Sequence, residues 1–285
     1  MKYALIQEHV AQYSVVLMCR VLGVSRSGFY RWKGRDMSPR AVRKQRVENA
    51  VLDTYSTYKA RYGAPRIVEE LNAAGIPCCL NHVADIMADN GLRARNGKAF
   101  KYSRSSEAMN NVADNLLWRD FSTGKANTKW TSDITYIWIK DKWLYLATVM
   151  DLFSRKIIGW AVDVTMTEAL ITTALKMAFE LRKVVPGLVV HSDRGVQYRA
   201  HKYQDLIRAN GGKISMSRKG NCWDNAPMES FFSRFKVELI YAEQYESIEA
   251  AKSGIFEYIE IFYNWIRRHS AIGYVSPAEF ERLCA

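Results

Sequence analysis

Three carboxylate residues in the second half of the chain occupy positions where a charged group needs a specific partner. Asp133 lies within residues 130–139, an aromatic and β-branched stretch that is typical of a strand. A carboxylate inside an apolar strand is costly unless it is paired or binds a cation. Asp193 directly follows a short apolar strand pattern, and Glu229 falls in the first turn of a helix that Pro227 is predicted to open. These positions indicate a ligand site at the end of a sheet.

Three carboxylates of this kind can bind hard divalent cations. In-line cleavage of a phosphodiester uses two such ions about 3.5–4 Å apart, one activating the attacking oxygen and one stabilising the leaving oxygen. Mg²⁺ prefers oxygen ligands and is usually held by a few carboxylates together with substrate phosphates. We therefore predict that Asp133, Asp193 and Glu229 are catalytic residues that bind two Mg²⁺ ions, which Mn²⁺ can replace.

Several residues near these acids have both a structural and a functional interpretation. Asp151 ends a predicted strand and is interpreted as a partner of Arg155 or as a turn cap, and Asp224 as a residue that shapes a loop. His191 is interpreted as a hydrogen-bonded structural histidine, with phosphate contact as the alternative. Trp223 is either a core aromatic residue or one that stacks on a base.

The elements that must position these residues follow from hydrophobic periodicity. Helical periodicity changes to a pattern rich in β-branched and aromatic residues near residue 130. Three strands in succession, followed by alternating helices and strands, predict a mixed α/β sheet. The predicted strands are residues 130–139, 143–151, 156–164, 188–191 and 213–217, and the predicted helices are residues 167–183, 200–210, 227–240 and 247–265.

Residues 1–60 predict a small helical module. Residues 15–22 and 25–32 have the pattern of two short helices, with Gly23 at a left-handed turn and Ser25 capping the second helix. This helix-turn-helix pattern also occurs in helical bundles that bind no nucleic acid. The basic residues on or beside the second helix, which we predict to contact DNA, are Arg26, Arg31 and Lys33.

The distribution of charge supports that interpretation. The formal net charge is +12, and residues 1–50 contain ten Lys and Arg against three acids, a net of 10 − 3 = +7. The other residues therefore carry only 12 − 7 = +5. A basic module on a nearly balanced body favours contact with a polyanion such as DNA, although a solvated basic face would have the same composition.

The remaining segments complete the predicted organisation. Residues 61–96 predict a second helix-turn-helix-like unit, in which Asn81 caps a helix that ends at Gly91. DNA binding and packing explain this second pattern equally well. The other predicted segments are a basic linker at residues 97–127, a catalytic core at 128–245, and a C-terminal helix and tail at 246–285 that complete the core.

An apolar stripe near the C-terminus precedes three basic residues. A regular helix would bury such a stripe and leave the basic residues at the surface. The pattern therefore predicts mainly core positions for Phe262, Tyr263, Trp265 and Ile266, and a surface that faces DNA for Arg267, Arg268 and His269.

Composition excludes two broad classes of protein. The five cysteines are odd in number and form no CxxC pair, which indicates reduced thiols rather than a disulfide framework. No apolar run approaches the roughly 20 residues of a membrane helix, and the first ten residues lack the pattern of a signal peptide. We therefore expect a cytoplasmic protein that does not contact a membrane.

Two segments around the acids resemble a known family. Residues 191–198, HSDRGVQY, and residues 215–229, SMSRKGNCWDNAPME, are similar to motifs of DDE transposases. More narrowly, they resemble the OrfB-type transposases of the third insertion-sequence family, which are kin to retroviral integrases. The spacing also agrees, since 35 residues separate Asp193 from Glu229 (229 − 193 − 1) and Lys236 follows Glu229 by seven.

The resemblance implies a ribonuclease-H-like integrase core that cleaves DNA at the ends of a mobile element. The freed 3′-hydroxyl would then attack another phosphodiester, with the three acids as metal ligands. Lys236 would contact DNA near the reacting end, and Arg218 and Lys219 are further predicted DNA contacts. The implied partners are the terminal inverted repeats, target DNA, further copies of the chain on DNA, and an upstream OrfA product or fusion, all at the bacterial nucleoid.

Two other functions compete with this interpretation. One is a catalytically inactive DNA-binding regulator of transposition, which would tolerate loss of the acids that this chain retains. The other is a ribonuclease-H-type nuclease that only hydrolyses, which the basic helical modules make less favourable.

Overall fold

The computed structural model describes residues 1–95 and 111–285, and their contacts divide the chain into two compact units. The first unit comprises Met1–Lys59 and Ile67–Leu92, and the second comprises Ala60–Arg66 and Arg93–Ala285. The first part of the predicted linker, up to residue 110, lies outside the described residues. No helix in the described ranges combines the length and apolar character needed to cross a lipid bilayer.

Six helices form the described N-terminal part of the chain, and serine residues cap three of them. The hydroxyl groups of Ser14, Ser25 and Ser38 accept hydrogen bonds from backbone N–H groups three residues further on. Gly23 has a φ of +63°, the left-handed conformation predicted for the turn between two helices. The helices are α1 (Lys2–Glu8), α2 (Val15–Val21), α3 (Arg26–Lys33), α4 (Pro39–Thr57), α5 (Ala64–Ala73) and α6 (Leu80–Asp89).

A small apolar cluster holds the first three helices together. Ile6, Cys19 and Phe29, one from each helix, are buried in contact with one another.

The N-cap residue predicted for α6 is wrong. This helix begins at Leu80, so the extended residue before it occupies the N-cap position and Asn81 lies inside the helix.

A five-stranded mixed sheet forms the centre of the second unit, as the strand and helix patterns predicted. The first three strands form an antiparallel meander, whereas the first, fourth and fifth run parallel. The strands are β1 (Lys129–Ile139), β2 (Lys142–Asp151), β3 (Ile157–Asp163), β4 (Val189–Ser192) and β5 (Lys213–Met216), in the order β3-β2-β1-β4-β5.

One face of this sheet packs on helices to form the main core. Trp130 of β1 belongs to a buried cluster with Ile171 and Ile207, which lie on the two helices that follow β3 and β4. Because side chains alternate across a strand, Thr131 and Asp133 point to the face opposite Trp130. The helices of the second unit are α7 (Glu168–Leu181), α8 (His201–Ala209), α9 (Ala226–Phe235), α10 (Ile248–Phe256) and α11 (Pro277–Leu283).

The last two long predicted helices each end in a π-helical segment. These segments are Lys236–Ile240 after α9 and Glu257–Ile266 after α10. A π-helix closes i→i+5 hydrogen bonds, so it shifts the phase of an apolar stripe relative to a regular helix. The core prediction is therefore wrong for Trp265 and Ile266, whose side chains are exposed, while Phe262 and Tyr263 are buried.

The prediction that Arg267 faces DNA is also wrong. Its guanidinium is buried and pairs with Glu238, at 2.7 Å between Nη2 and Oε1. The carboxylate needed to hold Arg267 inside lies 29 residues earlier in the chain, so no local pattern indicated it.

Gly159 in β3 permits the close approach of α7, and we expect Gly159→Ala to destabilise the second unit. A Cβ atom at this position would overlap the carbonyl oxygen of Ala174 and lie 2.9 Å from the backbone nitrogen of Ala178. Overpacking of this kind costs about 1–3 kcal/mol. Urea unfolding followed by circular dichroism should show this loss, whereas Gly124→Ala, where a Cβ meets no atom within 4 Å, should change stability by less than about 0.5 kcal/mol. Equal stabilities of the two variants would contradict the prediction.

Candidate active site

The strand register brings two of the predicted acids to neighbouring positions. β1 and β4 run parallel with Thr131 opposite His191, and Asp133 and Asp193 each lie two residues beyond this pair (133 − 131 and 193 − 191). Neighbouring strands are about 4.8 Å apart, so the two aspartates project from adjacent positions at this end of the sheet. Glu229 lies in the first turn of α9, a helix that contacts β1.

The electrostatics of the site connect all three acids. Burial raises the pKa of Asp133 well above its usual value, and the negative charges of Asp193 and Glu229 raise it further. Burial also raises the pKa of Asp193, although the backbone N–H of Gly195, 2.8 Å from Oδ1, opposes this shift. Ionised carboxylates are therefore disfavoured here unless positive charge is nearby.

This donor set fits a hard divalent cation. Carboxylate oxygens are the ligands that Mg²⁺ and Mn²⁺ prefer, and a bound cation would remove the cost of burying two anions together. In the part of the chain that the structure describes, no three His, Cys, Asp or Glu side chains converge as a preformed metal cluster.

Lys236 is the basic residue that acts on this site. It caps α9 at its C-terminal end, seven residues beyond Glu229, and its positive charge lowers the pKa of Asp133. Partial burial in turn lowers the pKa of Lys236, while Asp133 opposes that shift. Its Nζ atom lies 4.8 Å from the centre of the Tyr136 ring, so the ammonium group contacts β1.

Asp224 anchors the loop that precedes α9. Its buried carboxylate accepts hydrogen bonds from the backbone N and the guanidinium of Arg218, from Nε of Arg119, and from Nδ2 of Asn115. The hydrogen bonds and charge of Arg218, together with the hydrogen bond from Arg119, hold the pKa of Asp224 far below its usual value. The loop-shaping interpretation of Asp224 therefore agrees with its contacts. The described part of the predicted linker supplies two of the donors, and its Leu117 is buried.

Asn225, which sequence reasoning missed, ties the same loop to β1. Its Oδ1 accepts a hydrogen bond from the hydroxyl of Thr131, and its Nδ2 donates to the carbonyl oxygen of Ser132 at 3.4 Å. Both partners immediately precede Asp133. Asn225 occupies the N-cap position of α9, yet its side chain makes no capping hydrogen bond. The signal available in the sequence was an asparagine placed just before a helix that carries proline in its first turn.

His191 is a structural residue in this site. Nδ1 lies 2.8 Å from Oγ of Ser215 and Nε2 lies 3.1 Å from Oγ of Ser217, so both ring nitrogens have partners on or next to β5. Burial lowers the pKa of His191 to about 4, which keeps the ring neutral at pH 7. These contacts support the structural interpretation over phosphate contact.

Asp151 caps a turn, since its carboxylate accepts hydrogen bonds from the backbone N–H groups of Asn127 and Phe153.

The residues predicted to contact DNA differ in their exposure and in their contacts within the protein. Lys219 is exposed, whereas Arg218 is held by Asp224 and lies 5.2 Å from the centre of the Trp118 ring. Trp223 is 66% exposed, so its interpretation as a core aromatic residue is wrong. The N-terminal candidates on α3 are all exposed, namely Arg26, Arg31 and Lys33.

Comparisons with known proteins agree with this architecture. The integrase core domain family matches residues 124–222, a second integrase core family matches residues 210–277, and a helix-turn-helix-like domain family matches residues 42–100. The matched core contains the mixed sheet, and the predicted ribonuclease-H-like integrase core preceded by helical modules is confirmed.

Solved retroviral integrases are more distant in structure and sequence. The simian T-cell lymphotropic virus intasome has a TM-score of 0.46 and 13% identity, covering 75% of this chain and 70% of that chain. The HTLV-2 integrase catalytic core domain has a TM-score of 0.41 and 14% identity, covering 55% of this chain and 97% of that chain.

Curated relatives are similar over nearly the whole length. The 31 kDa protein of insertion element IS600 from Shigella sonnei is 39% identical over 263 residues, covering 92% of this chain and 97% of that protein. The transposase InsF of insertion sequence IS3A from Escherichia coli is 43% identical over 283 residues, covering 99% of this chain and 98% of that protein. The chain therefore belongs to the IS3 family of insertion-sequence transposases, which are polynucleotidyl transferases with an integrase core and a helix-turn-helix-like domain.

Proposed function

We propose that this transposase uses Asp133, Asp193 and Glu229 to bind the divalent metal ions with which it cuts element ends and joins them to target DNA. The observation that carries this assignment is the shared register of the two aspartates beyond the Thr131–His191 pair. The raised pKa of Asp133, to which the other two acids contribute, supports it independently.

The three acids would hold two Mg²⁺ ions, or Mn²⁺ ions in their place. Ions bound there would activate the attacking oxygen and offset the charge that develops on the leaving oxygen. The protein residues contribute position and charge. Asn225 holds the start of α9 against β1, Asp224 fixes the preceding loop, and Lys236 provides a positive charge beside Asp133 for the DNA backbone.

Basic residues in other parts of the chain would bind the DNA and hold it at this site. The exposed basic residues of α3 would contact the terminal inverted repeats together with Lys219 beside the active site. Integrase-like chemistry joins paired ends, so we further propose that two or more copies act together on DNA, with an OrfA product or fusion as an additional partner.

A strand-transfer assay tests this proposal against the inactive-regulator alternative. A labelled duplex that ends in the terminal repeat of the element is incubated with a target plasmid and either Mg²⁺, Mn²⁺ or EDTA. We expect joined product with either metal and none with EDTA. End binding without joined product in Mg²⁺ and Mn²⁺ would overturn the proposal and favour a regulator, and cleavage without joining would favour a nuclease.

Asp224→Asn is expected to slow joining by about 10- to 100-fold. The amide would present an N–H donor to the Arg218 and Arg119 donors, so the loop before α9 would move and Glu229 with it. A shift of about 1 Å in a positioned group can cost about 100-fold in rate. Strand-transfer rates measure the effect.

The matched control is Asp205→Asn, which removes an exposed aspartate whose partner is Arg208 on the same helix. This control should join at the wild-type rate. A normal joining rate in Asp224→Asn, with the same melting temperature as the wild type, would show that this anchor does not position Glu229.

A further inference from the structure

An aromatic surface lies on β1 and β2 beyond the acidic site. It consists of Tyr136, Trp138 and Trp143, with exposed fractions of 46%, 52% and 45%. Trp138 and Trp143 are directly paired across the two strands, and Tyr136 lies two residues before Trp138 on the same face. The ring centres of Trp138 and Trp143 are 4.7 Å apart, and those of Tyr136 and Trp143 are 5.3 Å apart.

Three large rings held together at the surface need an explanation. Single exposed hydrophobic residues are normal on a soluble domain, whereas a contiguous apolar patch marks a binding surface. Both ring pairs are T-shaped, with interplanar angles of 66° and 84°, so the rings present both faces and edges to an incoming planar group.

The position of this aromatic surface connects it to the DNA that the acids would cut. Tyr136 is three residues from Asp133 along β1 and Trp138 is five, which corresponds to about 10 Å and about 17 Å at about 3.3 Å per residue. Because both separations are odd, the two rings lie on the face of β1 opposite Asp133. The pairing of β4 with β1 covers only Lys129–Thr131, so a DNA strand would pass from one face to the other around the edge of β1 beyond that pairing. Lys236 bridges the two regions, because its Nζ contacts the Tyr136 ring and its charge acts on Asp133. A chain of one to a few nucleotides leaving the active site would span this distance.

The exposed rings of this surface favour single-stranded DNA over duplex DNA. Bases in a duplex are already stacked and hidden from a flat aromatic surface, whereas unpaired bases can stack on exposed rings at about 1–3 kcal/mol per base. Lys140 on the turn between the two strands and Lys142 at the start of β2 are both exposed and supply positive charge for the phosphates, with Asp141 as the acid between them.

We propose that the aromatic surface Tyr136–Trp138–Trp143 binds unpaired nucleotides of the DNA strand that passes through the active site, by stacking their bases on its rings. This inference rests on the proposed function for the source of the strand, but the binding itself requires neither metal nor cleavage.

The test uses the full-length chain in EDTA at 200 mM NaCl, where phosphate contacts are weakened. The probes are a single-stranded dT12 oligonucleotide with 2-aminopurine at its centre and a duplex of the same length and label. We expect the single strand to bind more tightly than the duplex and its 2-aminopurine fluorescence to be quenched. Trp138→Ala and Trp143→Ala should each weaken single-strand binding by about 10-fold, because one stacking partner is lost.

Three further variants keep this test specific. Trp138→Phe retains a ring and should restore most of the affinity and the quenching. Trp265→Ala is the matched control, because Trp265 is also an exposed tryptophan with a lysine, Lys156, 5.4 Å from its ring centre, and it should bind like the wild type. Asp193→Asn should also retain quenching while losing strand transfer.

Each adverse result has a distinct meaning. Unchanged single-strand affinity and quenching in Trp138→Ala would overturn the inference. So would an effect of Trp138→Ala that appears only as a change of oligomeric state in sedimentation velocity, since the surface would then contact a second copy of the chain. Normal strand transfer without single-strand quenching would reject this inference alone, and quenching without any strand transfer would reject the proposed catalytic function alone.

Discussion

Asp193→Asn is expected to lower the rate of strand transfer by more than about 100-fold while DNA-end binding stays within about threefold. The loss of a group that only orients a metal ligand already costs about 10- to 100-fold, and loss of the charged ligand itself costs more. The amide is nearly the same shape as the carboxylate, and its Oδ1 can still accept the hydrogen bond from Gly195. Strand-transfer rates and a gel-shift titration with the same labelled end measure the two quantities.

Thermal unfolding gives this prediction a second readout. Burial raises the folded-state pKa of Asp193, so its contribution to stability is present below the unfolded-state pKa and is lost as the pH rises through the folded-state value. At pH 7 in EDTA, the neutral amide should therefore be at least as stable as the wild type. Mg²⁺ should raise the melting temperature of the wild type more than that of the variant.

Two outcomes would contradict the assignment of Asp193. Strand transfer at the wild-type rate would remove it from the metal-ligand set. Loss of end binding together with a lower melting temperature would make it a structural residue. Asp205→Asn, the surface control introduced above, should leave all three measurements unchanged.

Glu238→Gln is expected to destabilise the second unit by about 3–5 kcal/mol. Glu238 and Arg267 are both almost completely buried, with side-chain exposures of 2% and 3%, and are joined by two hydrogen bonds of 2.7 and 2.9 Å. The hydroxyl of Tyr258 donates a third hydrogen bond to the carboxylate, at 2.8 Å. Removing one charge of a buried pair leaves the other without compensation, which carries a cost of this size.

The pH dependence of this effect has a definite sign. Burial alone would raise the pKa of Glu238, but the hydrogen bonds and charge of Arg267 outweigh it and the pKa is lowered. The carboxylate therefore stabilises the fold above its unfolded pKa of about 4.3, and this contribution is lost as the pH falls below that value. The difference in unfolding free energy between wild type and Glu238→Gln should shrink in acid.

Urea unfolding at pH 7 checks the magnitude against two controls. Arg282→Ala breaks the exposed pair with Glu279 and should cost less than about 1 kcal/mol. The double variant Glu238→Met/Arg267→Met replaces both charges by apolar groups and should recover much of the lost stability. A loss below about 1 kcal/mol in Glu238→Gln would show that the buried pair does not support the fold.

The residue pattern alone predicted much of the local structure. A stretch rich in β-branched and aromatic residues indicated β1, and a glycine turn followed by a serine cap indicated α2 and α3. These features depend on interactions within a few residues, so short windows of sequence contain them. The two aspartates were also found in this way, because a carboxylate inside an apolar strand or directly after one is conspicuous, and Glu229 was found in the first turn of the helix that Pro227 opens.

Only the tertiary structure decided which residues support those acids. Asn115 meets Asp224 across 109 positions, and Thr131 meets Asn225 across 94, so the anchoring of the α9 loop depends on how the chain returns to the sheet. The π-helical segment Glu257–Ile266 likewise turned part of an apolar stripe toward solvent. Local periodicity contains no information on such long-range contacts, because the same short pattern satisfies its hydrogen bonds and buries its side chains differently in different folds. The sequence by itself thus determined the family and the three candidate acids, while folding decided their register, their anchors and the aromatic surface on β1 and β2.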